Sequence, residues 1–146
     1  MWRKLLGILG GIAAGAAIAT VTEWIDGVLH PPPASIDPGN VESYRVYVAR
    51  LPASAFVLLL CGHALGSIAA GAIATLIARR AALWPAVVAG VALFLGGAVN
   101  VIALPHPTWF VGLDLACYVP LAWLGARLTA QQDGGGAATP GGQRYP

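Results

Sequence analysis

The chain has 146 residues, of which 58% are hydrophobic and only 10% charged. A soluble domain carries about 25% charge, so this composition excludes a water-covered globule. A net charge of +2 is too small to argue for a nucleic-acid partner.

Apolar runs of about twenty residues with few charges are the mark of membrane spans. Such runs occupy residues 5–29, 53–78, 83–104 and 109–128. They predict an all-α fold, an integral membrane four-helix bundle over residues 1–128. Arg3, Lys4, Arg79, Arg80, Arg127 and Arg144 fall on one side of such a bundle, and Arg45 and Arg50 on the other. The positive-inside tendency then places both termini in the cytoplasm (N-in/C-in).

The first span opens with Arg3-Lys4 and contains Ala17-Ile18-Ala19, which imitates a signal peptide and its cleavage site. Its apolar stretch runs on to Leu29, beyond the usual h-region of about 7–15 residues, so an uncleaved anchor is the expectation. Gly7, Gly11, Gly15 and Ala19 recur every four residues and form one narrow stripe on a helix. Small residues so spaced let another helix approach closely. Further along the same side come Glu23, Asp26 and His30. Pro31-Pro32-Pro33 cannot continue the helix.

The loop at 30–52 should carry a short amphipathic helix over 37–51, on the outer surface or across the bundle mouth. Asp37 reads as its N-cap and Pro38 as its first helical residue. Val41, Tyr44, Val48 and Leu51 make its apolar face.

In the second span His63, Ser67, Ala70 and Ala74 share a face, with Gly66 in the same small-residue region. The third carries Gly96, Gly97 and Asn100 near its outer end, above Ala86, Ala89 and Gly90. Pro105-His106-Pro107 allows only a tight antiparallel hairpin. In the fourth span Asp114, Tyr118, Leu121 and Gly125 share a face, and Pro120 lies mid-helix. The expected packing glycines are thus Gly7, Gly11, Gly15, Gly66 and Gly96. Cys61 and Cys117 read as two buried thiols, at depths that would also permit a bridge. From Thr129 the chain is rich in Gly, Pro and Gln, which predicts a disordered cytoplasmic tail over 129–146.

The polar side chains Glu23, Asp26, His30, His63, Asn100, His106 and Asp114 make a funnel that opens outward. At about 1.5 Å per residue, Asp114 lies roughly 10 Å and His63 roughly 15 Å below the outer surface. Ionisable residues inside spans are a functional signal by default, since each costs about 2.5–3.5 kcal/mol at the bilayer centre. Glu23, Asp26, His30 and His106 also supply the oxygen and nitrogen ligands of a divalent-metal site, although the chain contains no compact ligand motif. No activated nucleophile or phosphate loop is present, so neither a catalytic residue nor a cofactor is expected.

Three stretches together carry a resemblance: Glu23-Trp24-x-Asp26 leading to His30–Pro33, the Ala/Gly-rich second span closing on Arg79-Arg80, and Asn100 followed by Pro105–Pro107 and Trp109-Phe110. Up to about Arg127 the chain resembles a group of small bacterial inner-membrane proteins with four predicted spans and no assigned activity. The resemblance implies the architecture and a multi-pass place in the inner membrane.

Two functions fit. The first is a non-enzymatic structural, accessory or partner-binding role in the lipid bilayer, with a second copy or another membrane protein as partner. The alternative is a small transporter or channel whose funnel ends at His63 and Asp114. A cavity leading to that pair favours transport, and a dry contact favours the structural role.

Overall fold

The computed structural model describes residues 1–37, 39–79 and 83–131. Among them are five helices and no strand: α1 (Trp2–Leu29), α2 (Val41–Val48), α3 (Ala53–Ile77), α4 (Trp84–Ala103) and α5 (Thr108–Gln131). All but α2 are long and apolar enough to cross a membrane. Their outward faces carry Leu5, Leu9, Leu65, Leu95, Val99 and Ile102, all exposed, more apolar surface than water tolerates. The chain is a multi-pass membrane protein.

Proline sets most of the helix ends. The N–H of His30 closes α1 on the carbonyl of Asp26 at 2.8 Å, and the three prolines behind it stop propagation. Pro52 precedes α3, Pro107 precedes α5, and Pro85 sits in the first turn of α4. Just past α3, Arg79 takes a left-handed backbone with φ 60°, where glycine is the usual residue.

α1 starts at Trp2, earlier than the apolar run, so Arg3 and Lys4 lie within the helix. The Arg3 guanidinium lies 5.7 Å from the Trp2 ring centre, and the Lys4 ammonium 5.8 Å from that of Trp84. α2 is shorter than the expected 37–51. Its N-cap is Asn40, whose side-chain oxygen accepts from the N–H groups of Glu42 and Ser43 at 3.0 and 3.1 Å. Asp37 instead turns its carboxylate onto the N–H of Gly39 at 2.8 Å, a local turn that competes with helix capping. α5 runs past the expected boundary to Gln131, with Thr129 buried and its hydroxyl bonded to the Gly125 carbonyl at 2.9 Å. The rest of the expected tail, 132–146, lies outside the described residues.

Around the bundle the order is α1, α3, α5, α4, with α1 and α5 diagonally opposed and not in contact. Gly7 faces Ala74, Gly11 faces Ala70 and Gly15 faces Gly66. One number rises as the other falls, so α1 and α3 are antiparallel. A Cβ on Gly7 or Gly11 would come 2.6 Å from a backbone carbonyl oxygen of α3. The two backbones are therefore in direct contact, and the α1 stripe packs within the bundle. Gly71 meets the backbone of Ala122, and Gly125 that of Ile68. His63 is level with Asp114 and Gly71 with Ala122, both numbers rising together, so α3 and α5 are parallel neighbours.

One packing glycine is corrected. Gly96 is exposed, and a Cβ there would meet nothing within 4 Å. Gly97 is the buried one, where a Cβ would come 2.7 Å from the Tyr118 hydroxyl. Gly90 and Gly97 are seven residues apart and return to the same face, whereas Gly96 is turned away by about 100°. The cysteines are unbridged, as expected of two thiols, but depart from expectation in burial: Cys61 is exposed and Cys117 half-buried.

Candidate functional site

The stripe that packs α1 on α3 continues upward through Thr22 to Asp26, both buried. Asp26 is only 6% exposed, because seven- and four-residue steps keep it on the packed face. One turn on, the Nδ1 of His30 is 2.8 Å from the Asp26 Oδ1. The Tyr47 hydroxyl of α2 donates to the His30 carbonyl. Partial burial, then the nearby Tyr44 and Asp26, push the Tyr47 phenol above its ordinary value, so it stays a donor at neutral pH.

α2 lies across this end of the bundle. Val48 is buried against Phe56 and Phe110. His106 joins them: its ring stacks on Phe110 at 5.2 Å and 15°, and its Nδ1–H donates to the Leu104 carbonyl at 2.8 Å. Beneath α2 is a chamber of about 160 Å³, bordered by Glu23, Asp26, Tyr44, Tyr47, Asn100 and His106.

Deeper, α3 and α5 meet through side chains. The Nδ1 of His63 is 2.7 Å from Asp114 Oδ1. The Tyr118 hydroxyl donates to Asp114 Oδ2 at 3.2 Å and is 3.0 Å from His63 Nδ1. Asp114 and Tyr118 are one turn apart on α5, and parallel packing brings His63 to their level. The Ser67 hydroxyl bonds the His63 carbonyl at 2.8 Å. Asp114 is 1% exposed, Tyr118 5% and His63 6%. A carboxylate only accepts, so this network assigns the ring proton to Nδ1 and leaves Nε2 with its lone pair. Nε2 has no protein partner among the described residues.

A crevice of about 340 Å³ reaches this triad. Its walls are α1 and α4, and its floor is His63 of α3 and Tyr118 of α5. Ala16, Thr20 and Gly96 on its rim are exposed, so it opens sideways between α1 and α4. Glu23 and Asn100 border both the crevice and the chamber under α2, and form the neck between them. Glu23 has no cationic partner among the described residues.

The polar residues named from the sequence therefore fall into three groups. Glu23, Asp26, Asn100 and His106 surround the chamber, and Glu23, Asn100 and His63 border the crevice. Asp114 lies behind His63, out of the crevice. His30 borders a separate surface hollow of about 270 Å³ with Pro31, Pro33, Tyr47 and Arg50. Among the described residues no group of three or more His, Cys, Asp or Glu is placed to hold a metal ion. Tyr118 and Tyr47 are the residues of these clusters that sequence patterning underweights. The i, i+4 spacing of Asp114 and Tyr118 was a usable signal, whereas nothing local marks Tyr47. No family model matches the chain, and neither a curated protein nor a solved structure matches it.

Proposed function

We propose that the protein is a small non-enzymatic transporter or channel of a bacterial inner membrane. Its termini are cytoplasmic and its α2 end faces outward. Protons, or a solute exchanged for them, reach His63 through the neck at Glu23 and Asn100. The observation that carries this reading is the crevice of about 340 Å³ ending on His63 and Tyr118. With His63 neutral, the buried pair carries one negative charge, which a low-dielectric interior penalises. A proton on Nε2 makes the pair an imidazolium–carboxylate contact of zero net charge. Nε2, left with its lone pair by the Asp114 contact, is the atom that would receive a proton arriving along this path.

A structural or accessory role is the second reading. The close His63–Asp114 contact favours it, since the pair also ties α3 to α5. The glycine stripes do not call for an external partner, because α3 already covers the one on α1.

Thiol labelling and proton flux separate the two. In a chain with Cys61→Ala and Cys117→Ala, Asn100→Cys, at the neck, should react with a membrane-impermeant thiol reagent added from outside. Leu95→Cys, on the outward face of the same helix, should not. Proteoliposomes loaded with a pH-sensitive dye should acidify under an imposed gradient, and His63→Phe should abolish the flux. Equal inertness of both cysteines, together with flux unaffected by His63→Phe, would leave the structural role.

A further inference from the structure

We infer that the crevice binds a small primary or secondary alkylammonium ion, received by Glu23, Asn100 and the free Nε2 of His63. This assignment rests on reading the crevice as a solute path, and it adds the chemistry of the solute.

Charge comes first. The crevice is bordered by the Glu23 carboxylate and has Asp114 directly behind its floor. Neither carboxylate has a Lys or Arg partner among the described residues. Arg45 and Arg50 border neither the chamber nor the crevice. An anion would meet uncompensated negative charge in a medium that screens it poorly.

The polar atoms then select the type of cation. His63 is more than nine-tenths buried, and its Nδ1 is engaged by Asp114 and Tyr118. What it offers the crevice is a lone pair on Nε2. Glu23 presents carboxylate oxygens and Asn100 an amide oxygen, so all three residues can accept from N–H. An ammonium group with two or three N–H bonds satisfies them, whereas a quaternary ammonium has none to give. The Tyr118 ring on the floor adds an aromatic surface that also favours a cation.

The walls and the size complete the description. Apart from Thr20, the remaining walls are apolar, with Ile12, Ala16, Ala92 and Leu93 among them, a surface that a bare metal ion or a proton would not use. Ligand pockets span about 300–1,000 Å³, and 340 Å³ is at the low end, which suits an amine of a few carbons.

Calorimetry on the full chain in lipid nanodiscs at neutral pH tests this, with ethylammonium, tetramethylammonium and acetate as probes. Ethylammonium should bind, tetramethylammonium at least about tenfold more weakly, and acetate not at all. Glu23→Gln should weaken ethylammonium about tenfold and leave thermal stability unchanged, because Glu23 is exposed and unpaired. Asn100→Ala should also weaken it. Equal binding of tetramethylammonium or acetate, no binding of ethylammonium, or an indifferent Glu23→Gln would each overturn the assignment. If ethylammonium fails while Asn100→Cys stays reactive and proton flux persists, the ammonium chemistry is wrong and the path stands. If labelling and flux fail as well, the path itself is wrong.

Discussion

Asp114 keeps a carboxylate inside a membrane helix because its partners approach from two helices. His63 reaches Oδ1 from α3, and Tyr118 reaches Oδ2 from one turn along α5. These two bonds should differ in weight. Hydrogen bonds between membrane helices are worth about 0.6 kcal/mol on average and about 1.7 at most, because the unfolded chain in lipid also finds partners. Tyr118→Phe removes a bond within α5 and the 3.0 Å contact with His63 of α3, and should cost about 0.5–1.5 kcal/mol. Asp114→Leu removes the acceptor that His63 and Tyr118 share and leaves only their mutual 3.0 Å contact, so it should cost more, up to about 3 kcal/mol. Reversible unfolding in mixed detergent measures both. Similar losses for the two variants would show that the hydroxyl, not the carboxylate, organises the triad. The same residue scale explains what sequence alone left open. Asp114 and His63 each fell on the inward face of their own helix, but their contact depends on a neighbour relation that no local spacing encodes.

At the scale of the helix, the spans were legible because apolar runs and prolines act independently and agree. Pro31, Pro52 and Pro107 mark three of the boundaries directly. The short helix was harder, since Asp37 and Asn40 are both good caps. Asn40 is positioned to receive two N–H groups, while Asp37 is occupied with Gly39. Glycine faces were legible to within one residue, and at Gly96 and Gly97 that one residue matters. Gly11→Ala places a methyl 2.6 Å from the Ala70 carbonyl oxygen, a backbone atom that cannot swing away. It should destabilise the bundle by about 1–3 kcal/mol, the usual cost of overpacking. Gly96→Ala meets open space and should be neutral or stabilising, by up to about 1 kcal/mol, because alanine is the better helix former. The same unfolding assay checks the pair, and a Gly11→Ala variant as stable as wild type would contradict the backbone contact between α1 and α3.

For the whole molecule, the class and the number of spans follow from composition, but the order of helices around the bundle does not. That order puts α3 beside α5 and separates α1 from α5, and it creates both the triad and the crevice. It also bears on how the chain enters the membrane. α5 is the least apolar span, with a mean hydropathy of 1.4 against 2.0 to 2.2 for the others, and Asp114 opposes its insertion by up to about 2.5–3.5 kcal/mol, the cost at the bilayer centre. The residue that relieves Asp114 is His63, which the ribosome delivers earlier, in α3. The last helix thus depends on one already made. As an isolated segment, α5 should insert poorly in a translocation assay. In the full chain it should insert well, and His63→Leu should lower its yield while leaving α3 and α4 in place. Equal insertion of α5 in every case would mean that it crosses unaided. Where that dependence holds, the buried pair acts during biogenesis as a checkpoint: a chain whose third helix has gone astray cannot easily finish its fourth crossing.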